Sequence, residues 1–535
     1  MLRKIGSFVG MLLLAALPAA AQKVGVVMSG GGAKGLYHIG VLEALEENGV
    51  PIDYVAGTSM GSIIAAMYAA GYSPAEMRAI VNSGVVKEWV SGRIDPNKYM
   101  AYYRQVGSNP AFLSLRIDVE SPSGKRLRVP RNLISSTQID MALTELFAPA
   151  TAAADGDFDR LMVPFLCVAS DLNHRGPVVL REGDLSEAVR SSMSIPLVFK
   201  PMVKDSMLLY DGGIYDNFPW KPLDEDFRPD LIVGSICTEG NTPPSEQSNI
   251  MDQAFMLAMH DTDYTLPEER SVTIRRAVGV NMLDFDQAEA IMNAGYEDAV
   301  AAMPQLLEKV AERRDSAYYA GRREAFRAKC PPLVFDDYKL EGLKRAQREY
   351  IRDFVQVDRR TPGIQRPMGF EELKDNLFEV LAGGDFTMDF PTVRYDSVRE
   401  RYSFEAKFGT RPNFKITVGG NISGASDLAP LDQQAAMIKE LFPDKKKVGL
   451  LYCSAEANSL YQVETIKGYL EKDGYTCTNY SFVDSNDIAS VVSNAAKNSD
   501  VIYVPTDNTA ASNTEVIRNT CVPAKVPVVA GEQGI

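Results

Sequence analysis

Short apolar runs, each followed by turn residues, recur through roughly the first 300 residues and constrain the fold most. Four of them have the length and composition of strands: VGVVM, IDYVAG, FLCVAS and LIVGSI. The stretches between them, such as Leu36–Asn48 and Ser59–Ala70, are amphipathic and helical in spacing. Strands that alternate with helices form a buried, mainly parallel sheet. The sequence therefore predicts an α/β domain.

The pattern changes twice further along the chain. From about Pro331 to Lys407 the order becomes strand, helix, helix, strand, strand, which predicts a small α+β module. Residues Phe414–Ile422 have the pattern of one more strand. From about Ser426 strands and helices alternate again, which predicts a Rossmann-like α/β lobe. The chain stops at Ile535 directly after a strand, so we expect this lobe to be partial.

The N-terminus has the pattern of a secretory signal peptide. Arg3 and Lys4 precede the apolar run Phe8–Leu17, and small residues follow at Ala19–Ala21. The run is too short to span a bilayer comfortably. We predict cleavage after Ala21 and an exported chain that resides in the periplasm or outer membrane or is secreted.

Charge and cysteine content exclude some classes of function. The chain has 56 Lys and Arg against 70 Asp and Glu, a formal net charge of −14. An acidic chain without a basic patch argues against nucleic-acid binding. The six cysteines form no CxxC or Cys/His cluster, so no metal site is expected. Cys477 and Cys521 could pair in an oxidising compartment.

A glycine-rich motif, Gly30–Gly35, follows the first strand and opens the first helix. It is not a P-loop, because Lys34 is followed by Gly35 and not by Ser or Thr. A dinucleotide site needs an acidic residue at the end of the second strand, and Asp53 stands at its start. The motif could instead present free N–H groups as an oxyanion hole, or be a simple tight turn.

The sequence GTSMG at Gly57–Gly61 follows the predicted strand Ile52–Ala56 and precedes a helical run. Strand, GxSxG and helix are the context of a nucleophile elbow, in which the serine lies on a sharp turn. The two glycines remove side chains that would collide there. The helix N-terminus stabilises negative charge on the serine oxygen. The sequence therefore predicts Ser59 as a nucleophile.

A nucleophilic hydroxyl needs a base, which is most often histidine. The chain has three, His38, His174 and His260, and none lies in a motif that would direct it towards Ser59. Asp211, at a strand end before two glycines, is an alternative base if burial raises its pKa. The DGG sequence could equally be an ordinary turn.

Three motifs together, GGGAKG, GTSMG and DGG, resemble in their order the signatures of patatin-like phospholipases. SSMSIPLVFKP resembles the family's segment before the catalytic aspartate, and the resemblance covers about residues 23–310. It implies a three-layer α/β/α sandwich that hydrolyses acyl esters of lipids without cofactor or metal. A lipid or phospholipid substrate and a membrane surface are the implied partners. The implied roles are nucleophile for Ser59, base for Asp211, and oxyanion N–H donors for Gly30, Gly31, Gly32 and Met60.

Two further resemblances concern the remaining chain. Residues 331–407 resemble the POTRA-like module that follows the patatin domain in some bacterial outer-membrane proteins, where a β-barrel comes next. Phe414–Ile422 resembles the first strand of such a barrel. SDLAPLDQQAAMIKELF and YVPTDNTAAS resemble one lobe of a periplasmic substrate-binding protein of an ABC transporter. That family binds small ligands, and the residues in the matching loops are Ser454, Asn458, Asp507 and Asn508.

The predicted organisation has five parts: a signal peptide (1–21), a patatin-like domain (22–315), a POTRA-like module (331–407), a truncated strand or linker (408–425) and a partial lobe (426–535). A lipid acyl-hydrolase is the principal hypothesis. A solute-binding component of an ABC transporter and an envelope scaffold are the alternatives. Either a natural fusion or a recombined gene would explain the junction near residues 421–426, and we favour the second.

Overall fold

The computed structural model describes residues 22–99, 113–118, 126–127, 134–241, 253, 257–355, 367–382, 386–410, 414–418, 431–485 and 487–531. The predicted signal peptide lies outside these residues. The chain divides into two compact units, residues 1–107 with 115–415, and residues 108–114 with 416–535. Among the described helices, none combines the length and apolar character that crossing a bilayer requires.

An eight-stranded sheet forms the centre of the first unit. The first ten strands of the chain are β1 (Val24–Met28), β2 (Tyr54–Thr58), β3 (Leu113–Asp118), β4 (Arg126–Leu127), β5 (Phe165–Asp171), β6 (Gly176–Leu180), β7 (Met202–Lys204), β8 (Met207–Asp211), β9 (Leu231–Ile236) and β10 (Ser271–Arg275). The sheet has the order β10-β9-β1-β2-β5-β8-β7, and β6 also pairs with β5. Strands β3 and β4 form an antiparallel pair outside it.

The register of this sheet brings three chain segments to one edge. Strands β10, β9, β1, β2 and β5 are parallel neighbours, and Met28 lies opposite Gly57. The loops after β1 and β2 therefore leave the sheet side by side. Strand β8 runs antiparallel to β5 and places Asp211 opposite Ala169. Because Thr58 pairs with Val168 on the same β5, Asp211 arrives beside the end of β2.

Helices cover both faces of the sheet. They are α1 (Tyr37–Glu47), α2 (Met60–Ala69), α3 (Pro74–Asn82), α4 (Val85–Ser91), α5 (Pro96–Tyr99), α6 (Thr137–Ala154), α7 (Leu185–Ser192), α8 (Trp220–Phe227), α9 (Ala288–Lys309) and α10 (Ser316–Arg327). Alternate strand residues point to opposite faces. Val26 and Val55 belong to the large core, whereas Val27 and Ala56 pack in a second cluster with Leu223 of α8. The predicted α/β/α fold is confirmed.

Helix α10 extends the first domain past the boundary that the sequence suggested at residue 315. The Tyr319 hydroxyl donates a hydrogen bond to the carbonyl oxygen of Val50 at 2.6 Å. Phe326 is buried in the same core as the central sheet. The sequence boundary fell too early because the loop before α10 is polar, although the helix beyond it packs inward.

The next elements form the small α+β module. They are β11 (Val334–Glu341), α11 (Arg345–Val355), β12 (Met368–Gly369), α12 (Phe370–Ala382), β13 (Phe386–Met388), β14 (Thr392–Asp396) and β15 (Arg401–Thr410). Strand β15 pairs in parallel with β11 and antiparallel with β13 and β14. Met141 and Ala148 of α6 share the core of this module. The module thus packs on the first domain, and its POTRA-like character stays a prediction.

The second unit contains the C-terminal lobe. Its elements follow β16 (Phe414–Val418) and are α13 (Leu431–Leu441), β17 (Lys447–Cys453), α14 (Ala457–Lys472), β18 (Thr476–Phe482), α15 (Ile488–Asn498), β19 (Val501–Val504), α16 (Asn508–Ala511), α17 (Thr514–Ala524) and β20 (Val528–Ala530). The sheet order is β18-β17-β19-β20, with all neighbours parallel. Apolar clusters cover both faces. Cys477 and Cys521 are free thiols.

Candidate active site

Ser59 lies on a sharp turn between β2 and α2. Its backbone has φ 53° and ψ −124°, a conformation that a residue with a side chain rarely adopts. A Cβ atom on Gly57 would lie 2.3 Å from the Gly61 carbonyl oxygen, and one on Gly61 would lie 2.5 Å from that of Met28. Both glycines are therefore required sterically. The strand reaches Thr58, two residues further than predicted, so the serine follows it directly.

The backbone conformation of Ser59 leads to a stability prediction. Ser59→Gly and Ser59→Ala both remove the hydroxyl, but only glycine adopts this conformation without strain. We expect Ser59→Gly to be more stable than Ser59→Ala by about 1 kcal/mol, the strain relief being partly offset by the flexibility of glycine in the unfolded chain. Urea unfolding of the two variants measures the difference. Equal free energies of unfolding would show that the backbone of residue 59 is not strained.

The structure brings Asp211 into contact with Ser59. The serine Oγ donates a hydrogen bond to Asp211 Oδ2 at 2.7 Å, and the Gly213 N–H donates to Oδ1 at 2.8 Å. Asp211 is 1% exposed. Burial raises the pKa of this carboxyl to about 6, and the hydrogen bonds from Ser59 and Gly213 oppose the rise. A Cβ atom on Gly212 would lie 2.1 Å from the Val168 carbonyl oxygen, which explains the glycine there.

The three histidines have other partners. His38 is buried, with Nδ1 2.7 Å from Ser235 Oγ and Nε2 2.8 Å from the Ser29 carbonyl oxygen. Burial lowers its pKa to about 4. His174 contacts Asp171, and the ring of His260 stacks on a tyrosine ring at 4.7 Å. Within the described residues, no histidine hydrogen-bonds to Ser59, so Asp211 is the side chain placed to accept its proton.

The structure of the glycine loop shows that one of the predicted oxyanion donors is wrong. The N–H of Gly30 donates to the Asn217 carbonyl oxygen at 3.0 Å, so it is not available to an oxyanion. In the described part of the chain, the N–H groups of Gly31, Gly32 and Met60 have no acceptor. These three donors lie at the N-terminal ends of the turn after β1 and of α2, where unpaired N–H groups are expected.

An apolar cavity that opens to solvent has Ser59 in its wall, and the empty space in and directly around it is about 800 Å3. Helices α2, α3, α4 and α6 supply most of the lining. Among the described residues that line it, only Ser59 and the indole of Trp89 carry polar side-chain nitrogen or oxygen. Representative lining residues are Ile63, Met77, Trp89, Leu143 and Phe199. A cavity of this kind accommodates a hydrocarbon chain next to the serine.

The sequence did not reveal the residues that hold Ser59 and the glycine loop in place. The Ser192 Oγ accepts the N–H of Ser59 at 3.1 Å and donates to the Val168 carbonyl oxygen at 2.6 Å. Asn217, whose carbonyl holds Gly30, is fixed by a hydrogen bond from its side chain to the Tyr264 hydroxyl at 2.9 Å. The SSMSIP motif was a signal for Ser192, but no spacing rule links it to a residue 133 positions earlier.

The C-terminal lobe corrects the prediction for Asp507. Its two carboxylate oxygens accept the N–H groups of Cys453 at 2.6 Å and of Ala510 at 2.8 Å, and the residue is fully buried. It therefore ties β17 to α16, and neither carboxylate oxygen is exposed to a ligand. Ser454 is exposed at the end of β17. Asn458 and Asn508 lie in the first turns of α14 and α16, and their side chains are outside the described part of the chain.

No group of three or more His, Cys, Asp or Glu side chains in the described ranges is placed to hold a metal ion. The groups around Ser59 include backbone N–H groups, the Asp211 carboxylate, the Ser192 hydroxyl and apolar side chains. These are the components of a site for acyl transfer by a serine nucleophile.

Two family models match separate parts of this chain. The model of patatin-like phospholipases matches residues 26–224, which hold the glycine loop, Ser59 and Asp211. The chain carries a patatin-like phospholipase domain. The model of ABC transporter substrate binding proteins matches residues 413–535. The patatin-like domain thus shares the chain with a segment of the substrate-binding type, as the motifs of the sequence predicted.

The similar proteins also match either a phospholipase or a ligand-binding protein. The lysophospholipase NTE1 of Cryptococcus neoformans is 30% identical over 228 residues, which are 42% of this chain and 12% of that protein. The tyrosine-binding protein of Clostridioides difficile is 34% identical over 116 residues, which are 22% of this chain and 34% of that protein. The chain therefore spans well under two thirds of the length of either relative.

Among solved structures, an ABC domain from Streptococcus pneumonia in complex with L-Trp is 38% identical, with a TM-score of 0.19. The match covers 20% of this chain and 36% of that one. The substrate-binding match begins at residue 413 and so includes strand β16, Phe414–Val418. By its resemblance alone, this strand is the first strand of a barrel. The substrate-binding family accounts for it instead, since one short strand carries too little pattern to distinguish the two.

Proposed function

We propose that the patatin-like domain is a serine acyl-hydrolase that cleaves acyl esters of lipids with Ser59 as nucleophile and Asp211 as base. The observation that carries the proposal is the 2.7 Å hydrogen bond from Ser59 Oγ to Asp211 Oδ2 beside an apolar cavity. The hydrogen bond prepares proton transfer, and the cavity suits an acyl chain. The similarity to a lysophospholipase supports a lipid substrate.

In the first half-reaction, the Ser59 hydroxyl transfers its proton to Asp211 Oδ2 while Oγ attacks the ester carbonyl carbon. The carbonyl oxygen becomes an oxyanion, which accepts hydrogen bonds from the N–H groups of Gly31, Gly32 and Met60. The bond from the carbonyl carbon to the alcohol oxygen then breaks. Asp211 returns the proton to the departing alkoxide, which leaves as the alcohol, and Ser59 carries the acyl group.

In the second half-reaction, water attacks the acyl carbon and gives a proton to Asp211. The bond between the acyl carbon and Ser59 Oγ breaks, and the proton on Asp211 restores the serine hydroxyl. The fatty acid is released. Asp211 serves in both halves because its burial raises the pKa to about 6, close enough to neutrality for the carboxyl to accept and return a proton.

Covalent labelling tests the proposal directly. A fluorophosphonate probe forms a stable ester with an activated serine and ignores ordinary hydroxyls. We expect the full chain to be labelled at Ser59, as identified by peptide mass spectrometry. Ser83→Ala, which removes an exposed serine whose hydroxyl donates only to the Ile80 carbonyl oxygen, is the control that should label normally. Labelling of another residue, or of none, would refute the nucleophile assignment.

The pH dependence of hydrolysis follows from the base. Asp211 accepts the serine proton only when ionised, and its pKa is about 6. We expect kcat/KM for a soluble nitrophenyl ester to rise with pH through about 6 and to be level above it. A pH series of initial rates measures the midpoint. A midpoint near the ordinary aspartate pKa of 3.8 would contradict a buried carboxyl as the base.

We also propose that the chain is exported and acts at a membrane surface. The N-terminal signal-peptide pattern and the match to ABC transporter substrate binding proteins support export. We further propose that the N–H groups of Gly31, Gly32 and Met60 form the oxyanion hole. We also propose that the module of residues 331–407 is POTRA-like. For the solute-binding alternative the burial of Asp507 is unfavourable, because it removes one of the four proposed ligand contacts.

A further inference from the structure

Arg190, on α7, is a charged side chain enclosed in the core of the first domain. It is 1% exposed. Its Nε donates to Asp140 Oδ1 at 2.6 Å, its Nη1 to Ser194 Oγ at 2.6 Å and its Nη2 to the Lys200 carbonyl oxygen at 3.1 Å. The guanidinium carbon also lies 5.3 Å from the ring centre of Phe199. Every nitrogen of the guanidinium group therefore has a partner.

Stability alone does not account for this arginine. Moving a guanidinium and a carboxylate out of water costs more than an apolar pair of similar volume, and replacing such a pair by apolar residues is often neutral or stabilising. Burial raises the pKa of Asp140, and the charge of Arg190 opposes the rise. What the ion pair provides is directed hydrogen bonding, since the planar fork fixes three acceptors in one geometry.

The segment that Arg190 holds is the one that supports both residues of the proposed active site. Ser192 accepts the backbone N–H of Ser59 at 3.1 Å. The carbonyl oxygen of Ser194 accepts the backbone N–H of Asp211 at 2.9 Å. Ser194 Oγ is the atom to which Arg190 Nη1 donates. The turn that ends α7 thus contacts the nucleophile on one side and the base on the other.

We propose that Arg190 is a positioning residue: by fixing the turn of Ser192 and Ser194 it sets the distance between Ser59 and Asp211. The inference rests on the proposed function and adds to it a residue that touches neither substrate nor reacting atoms. Without the bond to Ser194, the turn gains freedom and the hydrogen bond from Ser59 to Asp211 lengthens. Proton transfer then slows, while most of the apolar cavity wall, which α2, α3, α4 and α6 supply, lies outside this turn.

The decisive variant removes both charges at once. In Arg190→Met with Asp140→Leu, no charge is left unpaired, so we expect the thermal unfolding temperature to be kept or raised. We expect kcat for a soluble nitrophenyl ester to fall by about 100-fold, as for a displacement of catalytic groups by about 1 Å, with little change in KM. A merely structural role predicts instead that activity follows stability.

The pH profile gives a second, independent readout. The hydrogen bond from Ser59 holds the pKa of Asp211 down against the effect of burial. Weakening that bond in the double variant should move the midpoint of the rate profile to higher pH. Arg190→Lys keeps the charge but not the planar fork, so we expect it to restore only part of kcat.

A second buried pair provides the matched control. Arg323 of α10 contacts Glu46 of α1, and both side chains are largely buried. The guanidinium packs on Tyr68, near the C-terminal end of α2, whereas Ser59 precedes the N-terminal end of that helix. Arg323→Met with Glu46→Leu should leave kcat and the pH midpoint unchanged.

Each outcome decides between the possibilities. Suppose that the wild-type chain is active and the double variant has the same kcat and the same pH midpoint of the rate profile. That result would overturn the role of Arg190 and leave the proposed function intact. An equal fall in kcat in the control pair would also overturn it. A wild-type chain without hydrolysis or probe labelling would overturn both. If the double variant fails to fold, Arg190→Lys decides, and wild-type kcat with an unshifted midpoint refutes the role.

Discussion

Ser59→Ala is expected to lower kcat for a nitrophenyl ester by at least about 10,000-fold while the fold is preserved. The methyl group of alanine has no proton to transfer and no oxygen to acylate, so the whole covalent route is lost. Asp211 Oδ2 loses its hydroxyl partner but keeps its place, because Oδ1 still accepts the Gly213 N–H at 2.8 Å. Any hydrolysis that remains would come from direct attack of water on an ester whose carbonyl oxygen is bound by the oxyanion donors.

Initial rates on purified full-length protein measure this loss, with circular dichroism as the check on folding. Ser83→Ala is the matched control, an identical substitution at an exposed helix end. It should keep the wild-type rate. If Ser59→Ala instead retained a substantial fraction of the activity, the reaction would use another nucleophile and the proposed mechanism would fail.

Asp211→Asn is expected to lower kcat by about 100- to 10,000-fold and to stabilise the protein above about pH 6. Asparagine has the shape of the carboxyl group but cannot accept the serine proton. Burial raises the pKa of Asp211 from 3.8 to about 6, so the folded state binds its proton more tightly than the unfolded state does. The free energy of unfolding therefore falls as pH rises through this window, by about 3 kcal/mol in all.

The asparagine variant has no proton to lose, so its stability advantage should appear above about pH 6 and vanish near pH 4. Thermal unfolding at several pH values measures the difference between variant and wild type. Asp157→Asn is the control, because its carboxylate accepts the N–H of Asp159 at 3.0 Å on an exposed turn remote from Ser59. A stability gap that does not change with pH would argue that Asp211 is not a buried titrating group.

The α/β character of the first domain emerged from local patterns, whereas its three-layer α/β/α arrangement was implied by the resemblance to patatin-like phospholipases. Apolar runs such as Val24–Met28, separated by amphipathic helices, are sufficient to predict a buried parallel sheet. The boundary of the domain was placed before α10, because the loop that precedes this helix is polar. Tyr319 and Phe326 show the packing that a boundary drawn at residue 315 did not foresee.

Within the site, the predictions were more accurate for contacts between residues that are close together in the sequence. The steric need for Gly57 and Gly61 was visible because the strand, the turn and the helix are contiguous. The sequence did not show that the Gly30 N–H is unavailable to an oxyanion, because its acceptor, the Asn217 carbonyl oxygen, comes 187 residues later. Asp507 was placed correctly at a strand end, but its inward orientation depends on the N–H groups of Cys453 and Ala510, which compete with any ligand for the carboxylate.

The sequence by itself determined the elbow at Ser59, because a strand, GxSxG and a helix restrict the backbone within a few residues. Only the tertiary structure decided what surrounds it. Asp211 lies 152 residues away and reaches Ser59 through the pairing of β8 with β5, and Arg190 acts on both through one turn. Such contacts depend on sheet register and on which polar groups are buried together, and a linear pattern of residues specifies neither.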